Sequence, residues 1–235
     1  MTQQQFIEAI QQLGIQLTTA QVEQFQKYMQ LLVEWNEKMN LTAITEEEQV
    51  WEKHFYDSVL PFSHLTFETM CDVGSGAGFP GIPVQIVFPQ VHMTLVEPLQ
   101  KRCRFLNEVK EQLGLDNLSV VNARAEDFAK EKREQFDVVS ARAVARLSIL
   151  LELCVPLVKK NGSMVALKGK NGMEELEQAK KAISVLGIQL ESEETSTIED
   201  DATRINLYFK KVKNTPAKYP RAYGQIKKKP LEGNV

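Results

Sequence analysis

Cysteine is scarce and poorly placed for chemistry. Cys71, Cys103 and Cys154 lie 32 and 51 residues apart with no CxxC pair. That spacing excludes a zinc ribbon or a redox dithiol and fits a reducing compartment. The three histidines, His54, His64 and His92, show no metal-ligand spacing, so no metal is expected. No apolar run is long enough to cross a bilayer; the strongest, 147–158, is broken by Glu152 and Pro156. Met1-Thr2-Gln3-Gln4-Gln5 lacks the basic and apolar stretches of a signal peptide. The expectation is a soluble, cytoplasmic protein with no membrane partner. Of 235 residues, 43% are hydrophobic and 25% charged, which excludes a disordered or collagen-like chain and favours one large domain with a modest extension.

Acidic side chains are missing from 210–230, which instead carries Lys210, Lys211, Lys213, Lys218, Arg221, Lys227, Lys228 and Lys229. Outside it stand 20 basic residues against 31 acidic ones. An acidic body with a basic end points either to a polyanion at that end or to a solvated tail.

The first sixty residues read as helices. Thr2 with Gln5, Thr18 with Gln21 and Thr45 with Glu48 each match the spacing of a capping box. Beyond Thr69 the texture changes. Apolar, β-rich runs at 69–73, 91–96, 118–121, 136–140, 164–167 and 205–209 alternate with helical patterns, among them 100–113, 143–155 and 174–186. Strands alternating with helices imply a parallel sheet covered on both faces.

The first strand runs into Asp72-Val73-Gly74-Ser75-Gly76-Ala77-Gly78-Phe79. Three alternating glycines between a strand and a helix make a ligand loop at the carboxyl end of the sheet. A dinucleotide fingerprint needs glycine where Phe79 stands, and a phosphate-binding loop needs a Gly-Lys-Ser/Thr that the chain lacks. The form D-x-G-x-G-x-G instead resembles the first motif of doubly wound S-adenosylmethionine-dependent methyltransferases, whose loop holds an amino-acid moiety and its sulfonium. Glu97 ends the second strand 19 residues after Gly78, where a carboxylate can accept from both ribose hydroxyls. Ala125 and Glu126 follow the third strand, beside the expected adenine; an ordinary helix start fits there as well.

Arg142 ends the fourth strand, the position that faces the transferable methyl in this class. No [DN]PP[YFW] segment of an amine methylase occurs, and Cys154 sits in an apolar helical pattern unsuited to a thiolate. Arg142 is therefore either a ligand-facing cation or half of a salt bridge. Lys168 ends the fifth strand and Arg204 precedes the last; both could ring the same cleft. His54 and Asp57 read as a structural pair.

Taken together, the chain resembles the RsmG family, also called glucose-inhibited division protein B. The likeness runs through Val33-Glu34-Trp35-Asn36-Glu37-Lys38-Met39-Asn40-Leu41-Thr42, His54-Phe55-Tyr56-Asp57-Ser58, the glycine loop extended to Pro83, Ser140-Ala141-Arg142-Ala143 and Ala166-Leu167-Lys168-Gly169. It implies an α/β fold with a doubly wound, mostly parallel seven-stranded sheet behind an N-terminal helical extension. The expected units are an extension at 1–65, a methyltransferase domain at 66–213 and a basic tail at 214–235. The resemblance implies methyl transfer from S-adenosylmethionine to N7 of a guanine in 16S ribosomal RNA, without a metal. It places cofactor contacts on Gly74, Phe79, Ala125, Glu126 and Arg142, and RNA contacts on Arg124, Lys168 and Arg204, with Lys218 and Arg221 in the tail. Arg142 and Lys168 would act by positioning, because N7 offers an in-plane lone pair and needs no general base. The expected partner is small-subunit ribosomal RNA or its particle, not DNA, bound by a monomer. Two readings compete: a methyltransferase with a non-ribosomal substrate, and a non-catalytic RNA-binding protein on this fold.

Overall fold

The computed structural model describes residues 1–198 and 202–233. Residues 199–201 of the expected methyltransferase domain and 234–235 of the expected tail lie outside the described residues. Two of the three capping boxes form. Thr2 opens α1 (Gln3–Gln12) and Thr18 opens α2 (Thr19–Met39), each hydroxyl accepting an N3 amide while the N3 glutamine side chain returns to the cap. The third does not form. Helix α3 (Glu47–Gln49) is capped by Glu46 with no side-chain bond. It runs into a π-helical turn, Val50–Tyr56, then α4 (Asp57–Val59) and a 3-10 turn, Leu60–Phe62.

Seven strands follow: β1 (Thr69–Val73), β2 (His92–Val96), β3 (Leu118–Val121), β4 (Phe136–Arg142), β5 (Val158–Lys168), β6 (Ile188–Ile198) and β7 (Ala202–Lys211). Their order is β3-β2-β1-β4-β5-β7-β6, parallel throughout except that β7 runs antiparallel to both neighbours. The connecting helices are α5 (Gly81–Val87), α6 (Gln100–Leu113), α7 (Ala125–Glu131), α8 (Leu147–Cys154), α9 (Gly172–Gln178) and α10 (Lys180–Leu186), with α11 (Tyr223–Lys228) in the tail.

The two faces of the sheet carry two cores, as the pleat requires. Met70, Leu95, Val138 and Val165 join one; Cys71, Val96, Val139 and Met164 join the other. The first core continues without a break into the N-terminal helices through Phe6, Phe25, Trp51 and Phe55. Their rings meet at centroid distances of 5.0 Å (Phe6 with Phe25, Phe25 with Phe55) and 5.1 Å (Phe6 with Trp51, Trp51 with Phe55). Tyr28 carries the contact to the ligand loop, donating its hydroxyl to the Ala77 carbonyl at 2.5 Å.

Three expected elements change. The helix expected from 174 to 186 is broken at Ala179. The one expected from residue 143 starts at Leu147, because Ala143 takes a left-handed φ of 56°. Strand β6, the seventh that the resemblance implied, falls on none of the six apolar runs: it is an edge strand whose interior positions are almost all exposed, so its sequence reads as polar.

The tail is docked rather than loose. Tyr219, Ile226 and Leu231 are buried in the second core, and Arg133 holds the carbonyls of Thr215 and Tyr219. Arg221, expected on RNA, instead pairs with fully buried Glu152, Nε at 2.8 Å from Oε1 and Nη2 at 2.6 Å from Oε2. Lys211 is likewise fully buried and donates to the Val155 and Val158 carbonyls and to Glu134, each at 2.9 Å.

Candidate active site

The glycine loop lies at the carboxyl tips of β1 and β2, where ligands of open α/β sheets bind. Gly74 and Gly78 have φ of 70° and 99°, a region that side-chain-bearing residues rarely enter. A Cβ on Gly74 would stand 2.7 Å from Val144 Cγ2, and one on Gly78 would stand 2.8 Å from the Tyr28 hydroxyl. The backbone is thus bare of side chain at both positions, with Val144 of the β4–α8 loop against Gly74 and Tyr28 and Ile82 against Gly78.

Glu97 occupies the tip of β2 with 1% exposure. Its Oε2 accepts the Gly76 amide and its Oε1 the Leu99 amide, both at 2.9 Å. The carboxylate therefore organises the glycine loop, and each oxygen keeps a lone pair for another donor. Asn122 donates to the carbonyls of Glu97 and Pro98 at 3.0 Å, fastening the tip of β3 to that of β2. Arg124, Ala125 and Glu126 follow; Arg124 is largely exposed, 3.9 Å from the well-buried Glu126 carboxylate. Bare loop backbone, a carboxylate with free lone pairs, and the Ala125–Glu126 turn fit an amino acid linked to a ribonucleoside. Arg102 Nη1 stands 3.9 Å from Glu97 Oε2 at the same loop.

Beside this loop opens a cleft of about 500 Å³. It brings together Arg142, Lys168 and Arg204, the three cations expected to ring it, and adds Lys53, His54, Asp57 and Glu175. Arg142 stacks its guanidinium over Phe79, 4.9 Å from the ring centroid, and Phe79 lies 4.3 Å from the parallel His54 ring. Phe79 is 5% exposed, so its side chain is a shelf for Arg142. Lys168 lines the cleft with its ammonium held by the Ala145 carbonyl at 2.9 Å and Glu175 at 2.7 Å. Glu175 also accepts the Leu147 amide at 2.7 Å, which anchors the end of the loop whose Val144 covers Gly74. Lys218 lies elsewhere, over the Tyr219 ring.

The expected His54–Asp57 pair is replaced by a larger cluster. His54 Nε2 meets Thr42 Oγ1 at 2.8 Å and Nδ1 meets Arg142 Nη2 at 3.4 Å, while Asp57 turns to Arg142 and Arg204. The π-helical turn delivers these residues to the cleft, and insertions of this kind recur at functional sites. In the sequence, only the His54-Phe55-Tyr56-Asp57-Ser58 segment points to this cluster. What it touches is set by packing some eighty residues away along the chain, at Ser58 and Arg142.

Burial, then the Arg142 charge, holds His54 down at about pKa 3, and burial pushes Asp72 up to about 6. From pH 6.5 down to 3 the unfolded chain binds a His54 proton that the folded one refuses, so stability falls on acidification. Between pH 6 and 3.8 the folded protein binds an Asp72 proton that the unfolded one lacks, so stability rises on acidification. The two slopes oppose. In urea titrations, wild type minus His54→Gln is expected to lose stability by up to about 1.4 kcal/mol per pH unit below 6.5. A pH-independent difference would contradict a neutral buried His54. Burial holds the Cys154 thiol far above its ordinary value, so it is no nucleophile.

A family model described as "GidB: rRNA small subunit methyltransferase G" matches residues 21–203. Proteins named ribosomal RNA small subunit methyltransferase G align over essentially their full length. That of Lysinibacillus sphaericus is 52% identical, covering 99% of this chain and 100% of its own. Those of Staphylococcus aureus (strain Newman) and Bacillus subtilis (strain 168) are 51% and 48% identical, covering 98% and 99% of this chain and 99% and 100% of their own. Among solved structures, M. jannaschii TYW2 in complex with AdoMet superposes with a TM-score of 0.54 at 16% identity, over 67% of this chain and 75% of that one. A precorrin-6y C5,15-methyltransferase of Geobacter metallireducens gives 0.51 at 15%, over 71% and 90%. These two agree in fold alone, the Rossmann-like fold of class I methyltransferases. Matched along nearly its whole length by relatives about half identical to it, the chain belongs to the GidB family of rRNA small subunit methyltransferase G.

Proposed function

We propose that the protein transfers a methyl group from S-adenosylmethionine to N7 of a guanine in 16S ribosomal RNA, acting as a monomer in the cytoplasm on the RNA or its particle. One observation carries this reading: the glycine loop and the cationic cleft share residues 142–144 as a common wall, with Arg142 and Ala143 lining the cleft and Val144 lying on Gly74. A donor at the loop and a base in the cleft would meet across that wall.

Gly74, Gly76, Gly78 and Glu97 would hold the donor, with Ala125 and Glu126 beside its adenine. When bound, it supplies an electrophilic methyl on a sulfonium. Arg142, backed by Phe79, presents guanidinium donors suited to guanine O6. N7 needs no deprotonation, so rate comes from alignment, and neutral His54 has no proton to remove. Lys168, Arg204 and Arg124 are assigned to RNA phosphates, Lys168 by exchanging Glu175 for phosphate.

The division into 1–65, 66–213 and 214–235 belongs to the same proposal. The continuous cores imply that the three parts do not fold separately, so deleting the tail is no clean test of RNA binding. Lys227, Lys228 and Lys229 are exposed on α11 and its cap. Replacing all three by glutamine is expected to flatten the slope of log affinity for RNA against log salt by about two while leaving donor binding unchanged. An unaltered slope would make them a solvated face. The function itself is tested with labelled S-adenosylmethionine and separate 16S and 23S ribosomal RNA. Label entering only 16S supports it; label entering neither or both contradicts it.

A further inference from the structure

We infer that Asp57 is a positioning residue for methyl transfer, a carboxylate that aims the guanidinium groups of Arg142 and Arg204 into the cleft. The inference rests on the reading of the cleft as the RNA site. Asp57 is only 5% exposed although it lies among cations at the cleft wall. One oxygen, Oδ2, accepts Arg204 Nε at 3.0 Å and lies 3.5 Å from Arg142 Nη1. It thereby ties together the tip of β4, the start of β7 and the turn delivered by the N-terminal helices.

All the polar contacts of Arg142 among the described residues are long, 3.4 Å to the Lys53 carbonyl, 3.5 Å to Ser58 Oγ and 3.4 Å to His54 Nδ1, as is the 3.5 Å to Asp57 Oδ2, but only Asp57 brings an opposite charge, and the other three are neutral. None of those three directs the guanidinium strongly. Its aim is set by the Asp57 charge on one side and the Phe79 face beneath. The sign of Asp57 matters as well. A carboxylate in the wall of an RNA cleft repels phosphate and lowers affinity. A group that weakens the grip while fixing two donors serves alignment.

Asp57→Asn keeps the shape and removes the charge. Three quantities decide: donor affinity by calorimetry, RNA affinity against salt, and the single-turnover rate at saturating RNA and donor. The expected result is donor affinity unchanged within twofold, RNA bound severalfold tighter with a salt slope steeper by up to about one, and a rate reduced about 100-fold. The loss in Asp57→Asn with Arg142→Ala is expected to fall well short of the sum of the two single losses, because part of the charge's effect passes through that arginine and the rest through Arg204. Asp57→Glu, which keeps the charge but displaces it, is expected to lose rate without gaining RNA affinity, and it serves if the asparagine variant does not fold. A lowered melting temperature with a normal rate per folded molecule overturns the inference, as do additive losses in the double variant or a wild-type rate in Asp57→Glu. A wild type that methylates no ribosomal RNA overturns the reading of the cleft along with it; active wild type and equally active Asp57→Asn overturn this inference alone.

Discussion

Replacing Glu97 with alanine is expected to weaken S-adenosylmethionine binding by about 10²- to 10⁴-fold. Hydrogen bonds to a charged acceptor contribute roughly 1.5–3 kcal/mol each, and two ribose hydroxyls are assigned to this carboxylate, which sets that range. The carboxylate is 1% exposed and already organises the loop through the amides of Gly76 and Leu99. Alanine therefore also leaves two backbone donors without their partner, with a stability loss of about 1–3 kcal/mol. The two effects separate by experiment. Titration calorimetry with the donor reads the first, and urea unfolding without it reads the second. Donor affinity equal to wild type in a destabilised variant would make Glu97 a purely structural tie. Glutamine is a poor control, because its amide N–H₂ would face a backbone N–H.

The second large effect is on the fold. Arg221→Ala is expected to destabilise the protein by about 3–5 kcal/mol, since it strips the guanidinium from a carboxylate with no solvent exposure. Among the described residues, only the Arg221 amide, 3.0 Å from Glu152 Oε1, would remain to the anion. For a chain of this length the melting temperature should drop by roughly 10 °C. Arg221→Met with Glu152→Gln, which removes both charges, is expected to recover much of the loss. The salt dependence of RNA binding should stay at the wild-type slope in any variant that folds. A flattened slope with an unchanged melting temperature would return Arg221 to the RNA surface.

Arg221 shows where reading a sequence fails. A run of eight cations without an acid looks like a surface for polyanions. Yet Lys211 and Arg221 are internal partners of Glu134 and Glu152, acids far away along the chain. Charge counting records sign and not burial. The sheet was more legible: β1, β3 and α6 fall on their expected residues because apolar runs and caps are local signals. Strand β6 hid because an edge strand needs few apolar residues, and the lower half of β5 because Lys159-Lys160-Asn161-Gly162 reads as a turn, with Asn161 at a φ of 66°.

The site divided in the same way. Residues at strand tips could be found from the strands themselves, since a parallel sheet sends its carboxyl ends to one edge. Gly74, Glu97 and Arg142 follow from that rule. The cleft wall of Lys53, His54 and Asp57 does not. Lys53 and His54 sit on a π-helical turn that breaks the 3.6-residue period and Asp57 opens the helical turn after it, and this wall meets the sheet only through tertiary packing. Phe79 looked like a ligand contact within the motif, and it supports Arg142 from below.

The most direct measurement combines transfer with identification of the product. Purified protein is given methyl-labelled S-adenosylmethionine and unmodified 16S ribosomal RNA, and the RNA is digested to nucleosides. One labelled nucleoside, 7-methylguanosine, at close to one per RNA molecule, is the predicted result. Label in any other nucleoside, or none in RNA despite calorimetric uptake of the donor, would contradict it.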